Sequence, residues 1–228
     1  MIDLSKTAPG LVSLAKTAHV SLEKHGLAHE KAAVYLVLDH SGSMQRFYRN
    51  GSVQHLAEQA LGLSANLDDD GAVPLIYFGS RVQEFEEARL DNYAGIIDST
   101  HNRASWGTTN YAAALAYIAT EYANGRNGHT PALVIFQSDG EPDSRPAAED
   151  ALRRYSHLPI FWAFIGFGDR ITFLESLDDL PGRAVDNASF FHARDPHAVS
   201  DADLYDGITS QYGAWLTAAR AAGIIRQH

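Results

Sequence analysis

The 228-residue chain contains no cysteine. That excludes a disulfide framework, thiolate zinc sites and a cysteine nucleophile, and it fits a reducing compartment. No apolar run approaches the ~20 residues that a membrane-spanning helix needs. The opening residues Met1-Ile2-Asp3-Leu4-Ser5-Lys6 lack the basic stretch and apolar core of an export signal. Basic residues are few, 18 Lys and Arg against 28 Asp and Glu, and they are scattered; the formal net charge is -10. Binding to a phosphate backbone has little electrostatic support in such a chain. The expectation is a cytoplasmic protein with no nucleic-acid partner and no membrane insertion.

Enzyme signatures are missing as well. There is no Gly-x-x-x-x-Gly-Lys-Ser/Thr loop, no His-Glu-x-x-His and no Gly-x-Ser-x-Gly elbow around Ser41. The chain also has no long Pro/Gly/Ser linker and no low-complexity segment. Its length suits one α/β domain with a substantial core.

What is present is an alternation of apolar runs and amphipathic stretches. Val34–Leu38, Val73–Phe78, Leu133–Gln137, Ile160–Gly166 and Ser189–His192 read as strands. The first is continuously apolar, as a strand buried on both faces should be. Pro74 is tolerable only near a strand start or on an edge. Gly79-Ser80 reads as a two-residue turn leading into Val82–Phe85, which makes a hairpin with one antiparallel strand. Helices are expected around residues 53–67, Asp91–Thr100, Tyr111–Tyr122, Ala147–His157 and Ile171–Leu180. A terminal helix carries Leu204, Ile208, Trp215, Leu216 and Ala219 inward. Ser200 and Asp203 form a capping box before it. Asp68-Asp69-Asp70-Gly71 is a polar turn without the ligand spacing of a calcium loop. Residues 1–30 form an N-terminal arm, helical or extended, ending near Gly26.

Strands separated by helices imply a doubly wound, mostly parallel sheet with one antiparallel edge strand and helices on both faces. Ligands of such sheets sit outside the carboxyl ends of the strands, where the strand order reverses. Three chemistry-bearing segments should meet there. Asp39-His40-Ser41-Gly42-Ser43 leaves the first strand and places a carboxylate and two hydroxyls at alternate positions. Trp106-Gly107-Thr108-Thr109-Asn110 precedes a helix. Ser138-Asp139-Gly140-Glu141-Pro142-Asp143 leaves another strand. Oxygen donors of this kind suit a hard divalent cation such as Mg2+, and a set with few charges keeps the ion electrophilic toward a further carboxylate.

Asp-x-Ser-x-Ser, a later Thr before Asn, and Asp-Gly after an apolar strand resemble the metal-ion-dependent adhesion site of von Willebrand factor A domains. The resemblance covers residues 32–220 and divides the chain into an arm, 1–30, and a domain, 31–228. It implies that Asp39, Ser41, Ser43, Thr109 and Asp139 hold Mg2+, or alternatively Mn2+ or Ca2+, directly or through water. It also implies that a partner protein completes the shell with an Asp or Glu. Thr109 is preferred to Thr108 because the family's Thr stands just before a helix beginning like Asn110-Tyr111-Ala112-Ala113-Ala114-Leu115. Tyr48-Arg49-Asn50-Gly51, Leu67–Gly71, Pro159-Ile160-Phe161-Trp162, Leu177–Leu180, Gly182–Asn187 and Asp203-Leu204-Tyr205 resemble more narrowly the TerF-like branch linked to tellurite resistance. That branch often joins this domain to a TerD-type domain, for which this chain has no room.

Other readings compete at several positions. Asp39 and the serines would also serve as helix caps. Glu141 and Asp143 could join an ion through water, but read first as exposed loop acids. His40 and His101 flank the site without sufficing as ligands. Trp106 fits either the binding face or the core, and Trp162 fits the core. The expected function is a non-enzymatic, metal-dependent protein-binding module in a stress or tellurite-resistance-type assembly. The alternatives are a Mg2+-dependent phosphoester hydrolase and a scaffold whose metal site has lapsed.

Overall fold

A computed structural model describes residues 4–68, 71–125 and 130–225. Along the chain run α1 (Leu4–Thr7), α2 (Val12–Lys24), β1 (Ala33–Asp39), α3 (Gln45–Arg49), α4 (Ser52–Leu67), β2 (Ala72–Phe78), β3 (Val82–Arg89), α5 (Ile96–His101) and α6 (Tyr111–Ala123). They are followed by β4 (Ala132–Ser138), α7 (Arg145–Tyr155), β5 (Ile160–Phe167), α8 (Thr172–Asp178), β6 (Ala188–Ala193), α9 (Asp201–Thr209) and α10 (Tyr212–Ala221). The strands form one sheet in the order β3-β2-β1-β4-β5-β6, parallel except for the β2–β3 hairpin at one edge.

The continuous apolarity of β1 follows from its place in the middle of the sheet. Val34, Leu36 and Leu38 point into one apolar cluster with residues of α2, α4, α9 and α10. Ala33, Tyr35 and Val37 point into the other, with residues of α6, α7 and α8. Both faces are therefore covered, and neither face of the strand tolerates charge. Pro74 is accommodated because β1 first pairs with β2 at Leu75, one residue later, and a bulge facing β3 falls between Pro74 and Ile76.

Several sequence expectations need correction. The hairpin turn has three residues, Gly79, Ser80 and Arg81, because Phe78 pairs with Val82 and the Gly79 N–H donates to the Arg81 carbonyl at 3.0 Å. The helix placed at Asp91–Thr100 begins only at Ile96. Gly95, at φ 73°, turns the chain into it from a left-handed conformation that a helix interior does not hold. The terminal helix is two, α9 and α10, parting at Ser210 and Gln211. The junction sits among the weak helix formers Gly207, Thr209, Ser210 and Gly213. Asp69 and Asp70 of the polar turn lie outside the described residues.

The N-terminal segment is helical and packs on the domain. Leu14, Ala15, Ala18 and Leu22 of α2 share the cluster that holds Leu36. Gly62 of α4 allows the close approach, since a Cβ there would stand 3.0 Å from the Leu14 Cβ. Ser21 donates to Asp206 of α9 at 2.6 Å, and Lys24 pairs with the same carboxylate. Arg220 of α10 grips Glu30 through both guanidinium nitrogens.

Candidate metal centre

The strand order places the site. From β1 the chain first builds outward through β2 and β3, then returns to lay β4 on the other side of β1. The crevice between the carboxyl ends of β1 and β4 is thus the switch point of the sheet. Asp39 is the last residue of β1; Ser138 is the last of β4, and Asp139 follows it.

Asp39 is fully buried. One carboxylate oxygen accepts the Ser41 N–H at 2.8 Å, and the other accepts the Ser138 hydroxyl at 2.5 Å. Burial nevertheless lifts its carboxyl to about 7, against the opposing pull of those hydrogen bonds. Asp139, also buried, is raised by the same desolvation. Its hydrogen bond from Ser43 and the nearby Arg46 and Arg170 oppose the shift. The loop after Asp39 bends through a 3-10 turn at Gly42–Met44 and into α3. Ser41 and Ser43 are brought to 3.2 Å between hydroxyl oxygens, and Ser43 donates to Asp139 at 2.7 Å. Tyr48 of α3 secures the turn by donating to the Asp39 carbonyl at 2.9 Å.

The second segment is clamped from two sides. Gly107 bridges to Ser41, and its N–H donates to the His40 carbonyl at 3.1 Å. A Cβ on Gly107 would collide with the Ser80 backbone nitrogen, so this crossing needs glycine. Asp143 accepts the Thr109 N–H at 2.9 Å and the Thr108 hydroxyl at 2.6 Å. The Thr108 hydroxyl is thereby occupied on the exposed side. Thr109 instead lines a cavity of about 600 Å3 together with Ser43, Asp139, Gly140, Glu141, Arg46, Asp169 and Arg170. Asn110 caps α6 by accepting the Ala113 N–H, and the Tyr111 hydroxyl donates to the Gly140 carbonyl at 2.7 Å.

The fold therefore brings Asp39, Ser41, Ser43 and Asp139 into one hydrogen-bonded set and puts Thr109 on the wall of the same cavity. These are oxygen donors only, and no ion pair between Asp39 or Asp139 and a Lys or Arg occurs among the described residues. A buried carboxylate pair with that deficit of positive charge fits a hard cation. Among the described residues no three His, Cys, Asp or Glu side chains converge, so an ion here would lean on the hydroxyls.

Other residues were less legible beforehand. Ser138, at the end of an apolar strand, holds Asp39, and Asp143 holds the threonine loop. Glu141 is paired with Arg145 at 2.7 Å. His40 is buried and stacks on Trp106, 3.7 Å between ring centroids. Burial pushes its imidazole down to about 4, so the ring beside the site is neutral. Trp106 is 40 % exposed and belongs to the rim, whereas Trp162 is core.

Comparison with known proteins agrees with this architecture. The chain is 29 % identical over 217 residues to the uncharacterized protein YcbR of Bacillus subtilis (strain 168), a match covering 93 % of this chain and 88 % of that one. A von Willebrand factor type A structure from Catenulispora acidiphila superposes with a TM-score of 0.58 at 14 % identity over 80 % of this chain; the match spans 42 % of that longer chain. The manganese-loaded TRAP protein of Plasmodium vivax superposes with a TM-score of 0.53 at 23 % identity, over 78 % of this chain and 74 % of that one. The model of the vWA-TerF-like family, described as the vWA found in the TerF C terminus, matches residues 31–225, and the chain belongs to that family.

Proposed function

We propose that this domain captures a partner protein through one of the partner's carboxylates, by way of a divalent cation held by Asp39, Ser41, Ser43, Thr109 and Asp139. Mg2+ is the first choice, with Mn2+ or Ca2+ as alternatives. When bound, such an ion supplies Lewis acidity toward an incoming Asp or Glu. Asp39 and Asp139 contribute the negative charge that retains it. Ser41, Ser43 and Thr109 add orientation without charge, which preserves its appetite for a further anion. Ser138 and the Ser41 N–H fix the Asp39 carboxylate from behind.

The observation that carries this reading is the Ser43–Asp139 hydrogen bond, which closes the first and third segments around one point. The manganese-loaded Plasmodium neighbour supports a metal-dependent use of the fold. The chain matches the vWA found in the TerF C terminus, and we extend this reading to a tellurite-resistance-type or other stress assembly on the strength of the TerF-like resemblance alone. We read the domain as non-enzymatic: phosphoester hydrolysis generally calls for more acidic ligands or a second metal. No described helix is long and apolar enough to cross a membrane, and a formal charge of -10 disfavours nucleic acid.

The test is calorimetric titration with Mg2+ and Mn2+, followed by pull-down with and without chelator. Wild-type protein is expected to bind the ion and to retain partners only in its presence, and Asp39→Ala is expected to lose both. Unchanged ion affinity and capture in Asp39→Ala would overturn the assignment.

A further inference from the structure

Four charged side chains share the cavity wall with Asp139: Arg46, Glu141, Asp169 and Arg170. The two acids are already neutralised from outside. Glu141 pairs with Arg145 at 2.7 Å, and Asp169 pairs with Arg194 at 2.6 Å. The two arginines are not. Neither Arg46 nor Arg170 makes an ion pair or a side-chain hydrogen bond among the described residues; Arg46 lies over the Phe47 ring, 4.4 Å from its centroid. Both are exposed, and both act on Asp139 at a distance. A divalent ion at the site would cancel the charges of Asp39 and Asp139. The mouth of the cavity would then be left with two unpaired guanidinium groups, in a chain whose overall charge is strongly negative.

The arginines also lie on a definite side. Arg170 follows β5, and β5 is separated from β1 by β4. Trp106 stands on the other flank, on the loop whose Gly107 packs against Gly79 and Ser80 after β2. The rim is therefore polarised across the sheet, aromatic on one side of the metal position and cationic on the other.

We propose that the partner delivers a pair of acids from one peptide segment, one carboxylate for the metal and a second for Arg46 and Arg170. This rests on the metal-dependent reading above. A planar guanidinium recognises a carboxylate through two parallel N–H donors, and the arginine pair offers this beside the ion. It makes a doubly acidic segment the preferred occupant over a singly acidic one.

The test is an array of immobilised peptides, randomised around a central Asp or Glu and including phosphoserine sets. It is probed with the whole protein in Mg2+, with and without EDTA. A second Asp or Glu within about four residues is expected to strengthen the Mg2+-dependent signal about tenfold, the scale of one charge-assisted contact. The exposed double variant Arg46→Ala/Arg170→Ala is expected to keep the signal for singly acidic peptides and to lose the enhancement. Its Mg2+ affinity should equal or exceed that of wild type, because two positive charges near the ion are gone. The proposal is overturned by an enhancement that survives in the double variant, by a wild-type protein indifferent to the second acid, or by a stronger signal on phosphoserine peptides. In each of those cases metal-dependent capture still stands. A signal unaffected by EDTA overturns the metal-dependent reading itself, and this proposal with it.

Discussion

Ser43 donates a 2.7 Å hydrogen bond to Asp139, a residue 96 positions further along the chain. The contact exists because β4 returns to pair directly with β1, aligning Leu38 with Gln137 and so setting the two strand ends side by side. The behaviour of the site depends on this one juxtaposition.

The first consequence concerns pH. In the ion-free protein the Asp39 carboxyl is raised from 3.8 to about 7 by burial. The folded state thus holds this proton more tightly than the unfolded chain does. The associated stability is complete below about 3.8 and is lost as pH climbs to about 7. Melting in EDTA should show a decline across that window, on the order of a few kcal/mol. Asp39→Asn should flatten it, and Mg2+ should restore the wild-type protein above the window while leaving the variant unmoved. The same slope in both proteins would assign the decline to other groups.

The two adjacent threonines should separate in function. Thr109 lines the cavity, whereas the Thr108 hydroxyl is spent on Asp143. Thr109→Ala is expected to weaken Mg2+ binding by about tenfold, the worth of one hydrogen-bond-scale ligand contact. Thr108→Ala should change it much less. Titration calorimetry on both variants decides the matter, and equal losses would point to the loop rather than the hydroxyl.

Gly107 offers a purely steric test. Gly107→Ala places a methyl group against the Ser80 backbone, where overpacking costs about 1–3 kcal/mol. The loop has to move, and Thr109 moves with it. Lower thermal stability together with weaker Mg2+ binding is expected; a normal melt and normal affinity would mean that the crossing is looser than described.

Trp106 provides an optical readout. It is 40 % exposed, while Trp162 and Trp215 are buried. Acrylamide should therefore quench mainly Trp106, and Trp106→Phe should remove the accessible component. A bound acidic peptide should shield it. Continued full quenching in the presence of peptide and Mg2+ would place the partner elsewhere on the rim.

The N-terminal helix should matter to stability. Leu22 is 1 % exposed and lies in the main apolar cluster, so Leu22→Ala is expected to cost about 2–5 kcal/mol. Urea titration measures this directly, and a cost near zero would make α2 a loosely attached appendage.

Much of this architecture could be read from residue order. Val34–Leu38 had to be a central strand because its apolarity lacks alternation. Asp39 and Asp139 declared themselves by following such runs. The gaps have physical causes. The five-residue helix Gln45–Arg49 is too short to display a period, yet it delivers Arg46 and Tyr48. Ser138 looks like any strand-end serine until the pairing of β1 with β4 sets it against Asp39. The Asp143 clamp and the stacking of Trp106 on His40 join segments that are 34 and 66 positions apart, and local pattern carries no trace of either. The break between α9 and α10 was hidden because Leu204, Ile208 and Trp215 keep helical spacing across it.

The return of β4 to the flank of β1 also bears on biosynthesis. A ribosome makes Asp39, Ser41 and Ser43 long before it makes Asp139, and nothing can join them until the intervening strands and helices have emerged and β4 has docked. A nascent or truncated chain therefore displays half of the cradle without being able to close it. In the metal-dependent reading proposed above, cation retention would report that β4 has docked on β1, and a partner reading the cation would pass over chains that have not reached that stage.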